Sequence, residues 1–321
     1  MHLWSGECEI SRICRSNSSI MVEAFSRSLA LSKQLTTYRQ IIFADMKPFQ
    51  VHEAHTFITQ TKRMSLDNDS KDLMIIHSNI FQCLNQLREI NSFLERIRSV
   101  TKTVFNPENS THTSMLNELW KGLMPSQRNP ELQSSDWGLI GFQGKDPSTD
   151  FRGMGLLGLV QLNYFSRYED GNAAREVLRI ANHERRYFPF CATGINISLL
   201  CLQLLNETRL HRLLIECTAV EKLGSVPKFI GSDPETKPLI LEKSPLANQS
   251  YGALSDQSDA AESNADIDAL FNQRYHKFYC ETYIAWARFW ESKDPRDVMS
   301  FPDLFKEFCA GLRSRMNRID S

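Results

Sequence analysis

Hydrophobic positions along this chain recur mainly at helical spacing. In the clearest run, residues 73–97, apolar side chains follow one another every three or four positions: Leu73, Ile76, Ile80, Leu84, Leu87, Ile90, Leu94 and Ile97. This spacing places them on one face of a long amphipathic helix. Residues 20–43 repeat apolar positions less regularly. Both segments predict helices that dock on another surface.

Apolar positions become denser beyond residue 109. Periodic stretches predict helices at residues 115–123, 173–181, 190–205 and 210–223, and a last helix that begins near residue 300. Residues 151–164 are apolar on nearly every side, so we expect an interior helix there. No apolar pattern alternates over the length of a strand. The predicted fold class is therefore all-α, a single helical domain with an N-terminal helical extension.

Residues 224–265 have a different character. Prolines alternate there with serine, aspartate, glutamate and asparagine, at Pro227, Pro234, Pro238 and Pro245. Few apolar groups are available to offset the entropy of ordering this stretch. We expect a long disordered loop that is dispensable for folding.

Overall composition excludes several classes of protein. The net charge of −1 provides no general attraction to nucleic acid, so none is expected as a partner. The eight cysteines include no CxxC pair and no Cys/His spacing typical of zinc, so neither a metal site nor a disulfide framework is expected. The most apolar segment, residues 195–205, is shorter than the ~20 residues that span a bilayer. We expect a cytoplasmic protein and leave peripheral association with internal membranes open.

The most informative segment, residues 137–155, reads WGLIGFQGKDPSTDFRGMG. Five glycines lie among aromatic and charged side chains directly before the expected interior helix. Arg152 has two interpretations from its residue type alone. It could pair with Asp146 or Asp150 and brace the segment. Alternatively, it could offer its planar, permanently charged guanidinium to a phosphate.

This segment resembles the signature of the ELMO domain, in the form found in ELMO-domain-containing proteins that act as GTPase-activating proteins. The likeness continues through residues 156–165 and 194–198, resumes at 278–301, and includes residues 6–14 near the start. The resemblance implies a helical ELMO domain at residues 109–317, with residues 224–265 as an insertion. Residues 1–108 would form the N-terminal extension.

The resemblance also implies a function, the acceleration of GTP hydrolysis by small GTPases of the ADP-ribosylation-factor (Arf) and Arf-like (Arl) families. Arg152 matches the catalytic arginine of the family. An arginine supplied in trans stabilises the charge that spreads over the γ-phosphate during phosphoryl transfer, and such fingers contribute about 10³–10⁵ in rate. The chain would catalyse no reaction of its own and need no cofactor, because GTP and Mg²⁺ belong to the partner GTPase.

Other signature residues are expected to contact the GTPase or to brace the segment: Trp137, Phe142, Gln143, Asp146, Asp150, Phe151 and Gly153. We favour bracing for Gln143 over a role as a second catalytic finger. The two aspartates are expected to orient the segment and Arg152. Outside the signature, His183, Arg185 and Arg186 form a basic cluster, which we interpret as a solvated face, with a contact to the GTPase or to lipid head groups as the alternative.

A second functional class stays open. ELMO proteins that partner Dock-type exchange factors share the domain but not the arginine in this setting. This chain could therefore be a non-catalytic scaffold or adaptor that binds a regulator of small GTPases. The presence of Arg152 favours the GTPase-activating function.

Overall fold

A computed structural model describes residues 10, 13–14, 24–25, 28–29, 35, 50–62, 64, 71–215 and 260–319. Within these ranges the regular structure is helical and contains no strand, which confirms the all-α prediction. The α-helices are α1 (Val51–Thr61), α2 (Lys71–Lys102), α3 (Ser110–Leu123), α4 (Gly155–Arg167), α5 (Asn172–Ala181), α6 (Phe190–Asn206), α7 (His211–Ile215), α8 (Ala260–Lys293) and α9 (Phe301–Ile319). Short 3₁₀ helices cover Ser135–Ile140, Pro147–Gly153, Tyr168–Gly171 and Val298–Ser300.

Two predicted boundaries differ from the structure. The interior helix α4 begins at Gly155 rather than at residue 151, because Met154 has a non-helical φ of −130° and Gly155 a φ of +51°. Helix α8 begins at Ala260, so the last six residues of the predicted loop 224–265 are helical. The rest of that loop lies outside the described residues, as do residues 216–223 and most of residues 20–43.

The chain divides into two compact units, and the first comprises Met1–Arg98 and Leu205–Ser225. Its core is formed by the apolar side of α2 together with α1 and earlier residues. The buried members are Ile10, Cys14, Phe25, Leu29, Leu35, Val51, Ala54, Ile58, Met64, Ile76, Ile80, Cys83, Leu84 and Leu87. The amide of Asn79 donates to the Cys14 carbonyl at 2.7 Å inside this core. The first half of the predicted α2 stripe is therefore buried within its own unit.

The second unit comprises Ser99–Leu204 and Val226–Ser321. Helix α4 lies at its centre and packs against α3, α5 and α8. It also approaches α6 closely, since a Cβ added at Gly194 would lie only 2.5 Å from Leu162 Cδ2. The interior location predicted for this helix is confirmed. Its central position matters because the segment that carries Arg152 leads directly into it.

Aromatic side chains of α8 fill much of the second unit. The fully buried ones are Tyr275, Tyr279, Tyr283, Trp286 and Trp290. The Tyr283 hydroxyl donates to the carbonyl oxygen of Phe190, at the first residue of α6. These rings anchor the later half of α8 in the core of the second unit.

No helix in the described part of the chain is both long enough and apolar enough to cross a bilayer. The division into an N-terminal extension, residues 1–108, and a helical domain, residues 109–317, stays a prediction. The docking of the N-terminal helices on that domain also stays a prediction.

Candidate functional site

Residues 137–155, which we call the signature loop, cover a row of buried aromatic rings. The centroids of Trp137 and Phe142 are 5.9 Å apart and those of Phe142 and Phe151 are 5.6 Å apart, both edge to face. Phe105 contacts Phe151 at 5.7 Å, and Trp120 contacts Trp137 at 5.4 Å. All five rings are at most 5% exposed. The three aromatic residues of the loop therefore support it from the interior.

Two glycines let the signature loop turn against neighbouring backbone. Gly141 has a φ of +81°, and a Cβ there would lie 2.2 Å from Phe190 N. Gly155 has a φ of +51°, and a Cβ there would lie 2.2 Å from the Thr101 carbonyl oxygen. Both conditions exclude an ordinary side chain, since positive φ and close backbone approach are each accessible mainly to glycine. These two glycines therefore hold the loop against the start of α6 and against the backbone of Thr101.

Asp146 starts the 3₁₀ helix Pro147–Gly153. Its side chain accepts a hydrogen bond from Ser148 N at 2.9 Å, and Pro147 occupies the first helical position. Aspartate and proline suit these two places because the early N–H groups of a helix lack partners within it. Asp146 thus caps the short helix that carries Arg152, through the backbone N–H of Ser148.

Asp150 connects the two halves of the signature loop. Its Oδ2 accepts a hydrogen bond from the backbone N–H of Gln143 at 2.7 Å. Burial raises the pKa of Asp150, against the lowering effects of the Gln143 N–H and of the Arg152 charge. The Gln143 side chain itself is exposed. Gln143 therefore braces the loop through its backbone, which leaves its amide available at the surface.

Arg152 is exposed on the short helix, next to buried Phe151. Its guanidinium forms no hydrogen bond or ion pair with any residue that the structure describes, although its charge influences Asp150. The sequence allowed a brace in which Arg152 pairs with Asp146 or Asp150. In the structure those carboxylates bind Ser148 N and Gln143 N instead. The arrangement leaves a fixed backbone that presents an available cation.

The basic cluster after α5 has a different environment. Arg185 Nη2 lies 2.6 Å from both carboxylate oxygens of Asp294, and Arg186 Nη1 lies 3.6 Å from the same residue. The Arg185 hydrogen bond lowers the pKa of Asp294. Trp290 Nε1 also donates to the Arg186 carbonyl at 2.8 Å. These arginines tie the loop after α5 to the end of α8.

One part of the site could not be found from the signature alone. Residues 101–105 lie beside the end of the loop, where Leu156 N donates to the Thr103 carbonyl at 2.9 Å. Phe105 supplies the ring behind Phe151, and Val104 beside it is 79% exposed. Residues 101–105 precede the signature by more than thirty positions. No spacing rule in the sequence links these two segments.

The described residues include no group of three or more histidine, cysteine, aspartate or glutamate side chains that could hold a metal ion. The site is thus defined by an exposed arginine on a glycine-rich loop, which aromatic rings support from within an all-helical domain. Such a site presents a cation at the surface of the protein.

The chain belongs to the ELMO/CED-12 family, whose sequence model matches residues 95–305. It is 28% identical over 311 residues to ELMO domain-containing protein B of Dictyostelium discoideum, across 96% of this chain and 89% of that protein. It is 29% identical over 313 residues to human ELMO domain-containing protein 1, across 96% and 84%. The match to mouse ELMO domain-containing protein 2 is 27% over 225 residues and covers 70% and 60%. No solved structure matches the chain significantly.

Proposed function

We propose that this protein is a GTPase-activating protein for Arf- and Arl-family small GTPases and that it supplies Arg152 in trans as an arginine finger. The observation that carries the proposal is the state of Arg152, which is exposed and has no ion-pair partner among the described residues. A finger must leave its own protein and reach a phosphate of another. An arginine already held by a carboxylate would first have to break that pair.

The support beneath Arg152 favours the same function. Phosphoryl transfer depends mainly on positioning and on electrostatic stabilisation of the transferred group. Preorganised donors cost little reorganisation when the reaction occurs. Phe151 is buried immediately before Arg152, and Gly155 fits closely against Thr101 three positions later. The backbone that carries the guanidinium is therefore held from both ends.

Besides Arg152, the signature loop carries a second exposed polar group, the side-chain amide of Gln143. We assign this amide no catalytic role, because the contact of Gln143 with Asp150 uses the backbone N–H. GTP and Mg²⁺ come with the partner, and this chain contributes the guanidinium. The encounter is expected in the cytoplasm, with peripheral attachment to internal membranes left open.

A single-turnover hydrolysis assay tests the proposal. Purified Arf and Arl GTPases are loaded with GTP and mixed with the wild-type protein, Arg152→Lys or Arg185→Lys. Lysine keeps the charge but lacks the planar fork of donors. For the responsive GTPase we expect Arg152→Lys to lower the stimulated rate about 10³-fold. Its melting temperature should be unchanged, because no intramolecular pair is lost.

Arg185→Lys is the matched control, since Arg185 is also exposed but pairs with Asp294. It should keep full stimulation. The finger is excluded if Arg152→Lys stimulates as well as the wild type. If no GTPase is accelerated although one binds, the protein is a scaffold of the kind that its sequence left open.

A further inference from the structure

The surface beside Arg152 carries an exposed apolar residue. Phe151, the buried neighbour of Arg152, contacts the ring of Phe105 at 5.7 Å. Val104 precedes Phe105 and is 79% exposed, whereas Phe105 is 5% exposed. Because these two rings touch and Leu156 N donates to the Thr103 carbonyl, the segment that contains Val104 packs against the segment that contains Arg152. Both segments therefore present an exposed residue, one apolar and one cationic.

The backbone that leads to Val104 is held by two contacts. Leu156 N donates to the carbonyl of Thr103 at 2.9 Å, and Gly155 fits against the carbonyl of Thr101. Single exposed apolar residues are common and need no special explanation. Val104 differs because its segment is fixed against the segment that carries the proposed finger.

Gly153, next to Arg152 in the chain, supports the same surface. A Cβ added there would meet no atom within 4 Å, and its φ lies outside the left-handed region. The contrast is with Gly155, where a side chain has no room. The described structure thus gives no internal reason for glycine at position 153. The missing side chain leaves free space at the exposed position that follows Arg152 in the chain.

We propose that Val104 and Gly153 form, with Arg152, the contact surface for the GTP-bound GTPase. Val104 packs against apolar side chains of the partner's switch segments, and Gly153 lets the partner backbone approach closely. The γ-phosphate and Mg²⁺ order those switch segments. A contact with them therefore favours the GTP-bound form. This inference rests on the proposed function and names the docking residues of the same site.

Two variants and two matched controls test the surface. Val104→Ser removes the apolar contact, and Gly153→Ala fills the open space. Met299→Ser is the control for the first, because Met299 is 80% exposed on the 3₁₀ helix Val298–Ser300, beside a second group of rings around Trp286. Gly311→Ala is the control for the second, because a Cβ at Gly311 in α9 also meets nothing within 4 Å.

The measurement is the single-turnover rate of GTP hydrolysis as a function of activator concentration. We expect Val104→Ser and Gly153→Ala each to raise the half-saturating concentration about ten-fold or more, a typical effect of a central interface residue. The maximal rate should stay within about two-fold of the wild type, since the finger is intact. Arg152→Lys should instead lower the maximal rate and leave the half-saturating concentration nearly unchanged. Melting temperatures and both controls should match the wild type.

The outcomes separate this inference from the proposed function. If the wild type accelerates hydrolysis and both test variants saturate like their controls, the surface is wrong and the finger stands. If the wild type accelerates no GTPase, the surface is tested by binding instead. The wild type, the two test variants and their controls are then compared for binding to GTPases loaded with a non-hydrolysable GTP analogue. Weaker binding by Val104→Ser and Gly153→Ala than by their controls then supports the surface without catalysis. Equal binding, or no binding by the wild type, overturns it.

Discussion

The inner and outer sides of the signature loop have opposite properties. On the inner side, Phe142 and Phe151 are buried, and the backbone at Gly155 touches a neighbouring segment so closely that no side chain fits. On the outer side, Arg152 forms no hydrogen bond or ion pair with a described residue, and the space beside Gly153 is open. The change is abrupt, because Phe151 is buried and the next two residues, Arg152 and Gly153, are exposed.

This difference shows how the fold serves the site. A guanidinium can be free and still be well positioned if its backbone is held by the residue before it. Phe151 provides that support through its contacts with Phe105 and Phe142. Inner residues should therefore affect stability first, and outer residues should affect only the interaction with a partner.

Phe151→Ala should have the largest effect on stability. Truncation of a buried phenylalanine removes its transfer free energy and leaves a cavity, typically at a cost of about 3–5 kcal/mol. We expect a loss of that size in the free energy of unfolding from chemical denaturation. Tyr187→Ala, at an aromatic residue that is 39% exposed, is the control and should cost about 1 kcal/mol or less. A loss below 1 kcal/mol for Phe151→Ala would refute the inner support.

Gly155→Ala should have the next largest effect. The new Cβ would lie 2.2 Å from the Thr101 carbonyl oxygen on a backbone with φ of +51°. We expect a loss of about 2 kcal/mol or more, because strain at positive φ adds to the displacement of backbone. Gly311→Ala in α9 should instead leave stability unchanged or raise it by up to about 1 kcal/mol. Equal melting temperatures for the two variants would contradict this account of Gly155.

Asp150 lies between the two sides, and its substitutions should have intermediate effects. Asp150→Ala removes the acceptor of the Gln143 N–H and should cost about 1 kcal/mol. Asp150→Asn keeps an acceptor oxygen and should cost less. Because the folded-state pKa of Asp150 is raised, the folded state holds the proton more tightly than the unfolded state does. The contribution of Asp150 to stability is then present below its unfolded pKa and is lost as pH rises through the folded pKa.

Unfolding measured at several pH values from 3 to 7 checks this sign. The stability of the wild type should fall, relative to that of Asp150→Asn, as pH rises through the raised pKa. A relative stability that instead increases over the same interval would mean that the carboxylate, rather than the acid, is favoured in the folded state.

Gln143→Ala should have the smallest effect. The hydrogen bond to Asp150 uses the Gln143 backbone, and alanine keeps that N–H. We expect stability within about 0.5 kcal/mol of the wild type, as for most exposed substitutions. Stimulation of the responsive GTPase should change less than about ten-fold, far less than the effect of losing a finger. A loss near 10³-fold in the hydrolysis assay would make Gln143 a second catalytic group.

The sequence by itself determined the helical class and indicated a candidate for the site. Helical periodicity is a local property, so the stripe in α2 and the apolar helix α4 were predictable from neighbouring residues. The signature is also contiguous, and Arg152 and its family could be identified from residues 137–155 alone. The exact start of α4 could not, because it depends on the backbone angles of Met154 and Gly155.

Only the tertiary structure decided which charged residues have partners inside the protein. Arg185 and Asp294 are 109 positions apart, yet Arg185 Nη2 contacts both carboxylate oxygens of Asp294. Arg152 has two aspartates within six positions, yet it pairs with neither. Val104 lies next to the signature through Phe105, with no signal in the sequence. Such outcomes depend on contacts between distant segments, which the pattern of neighbouring residues does not encode.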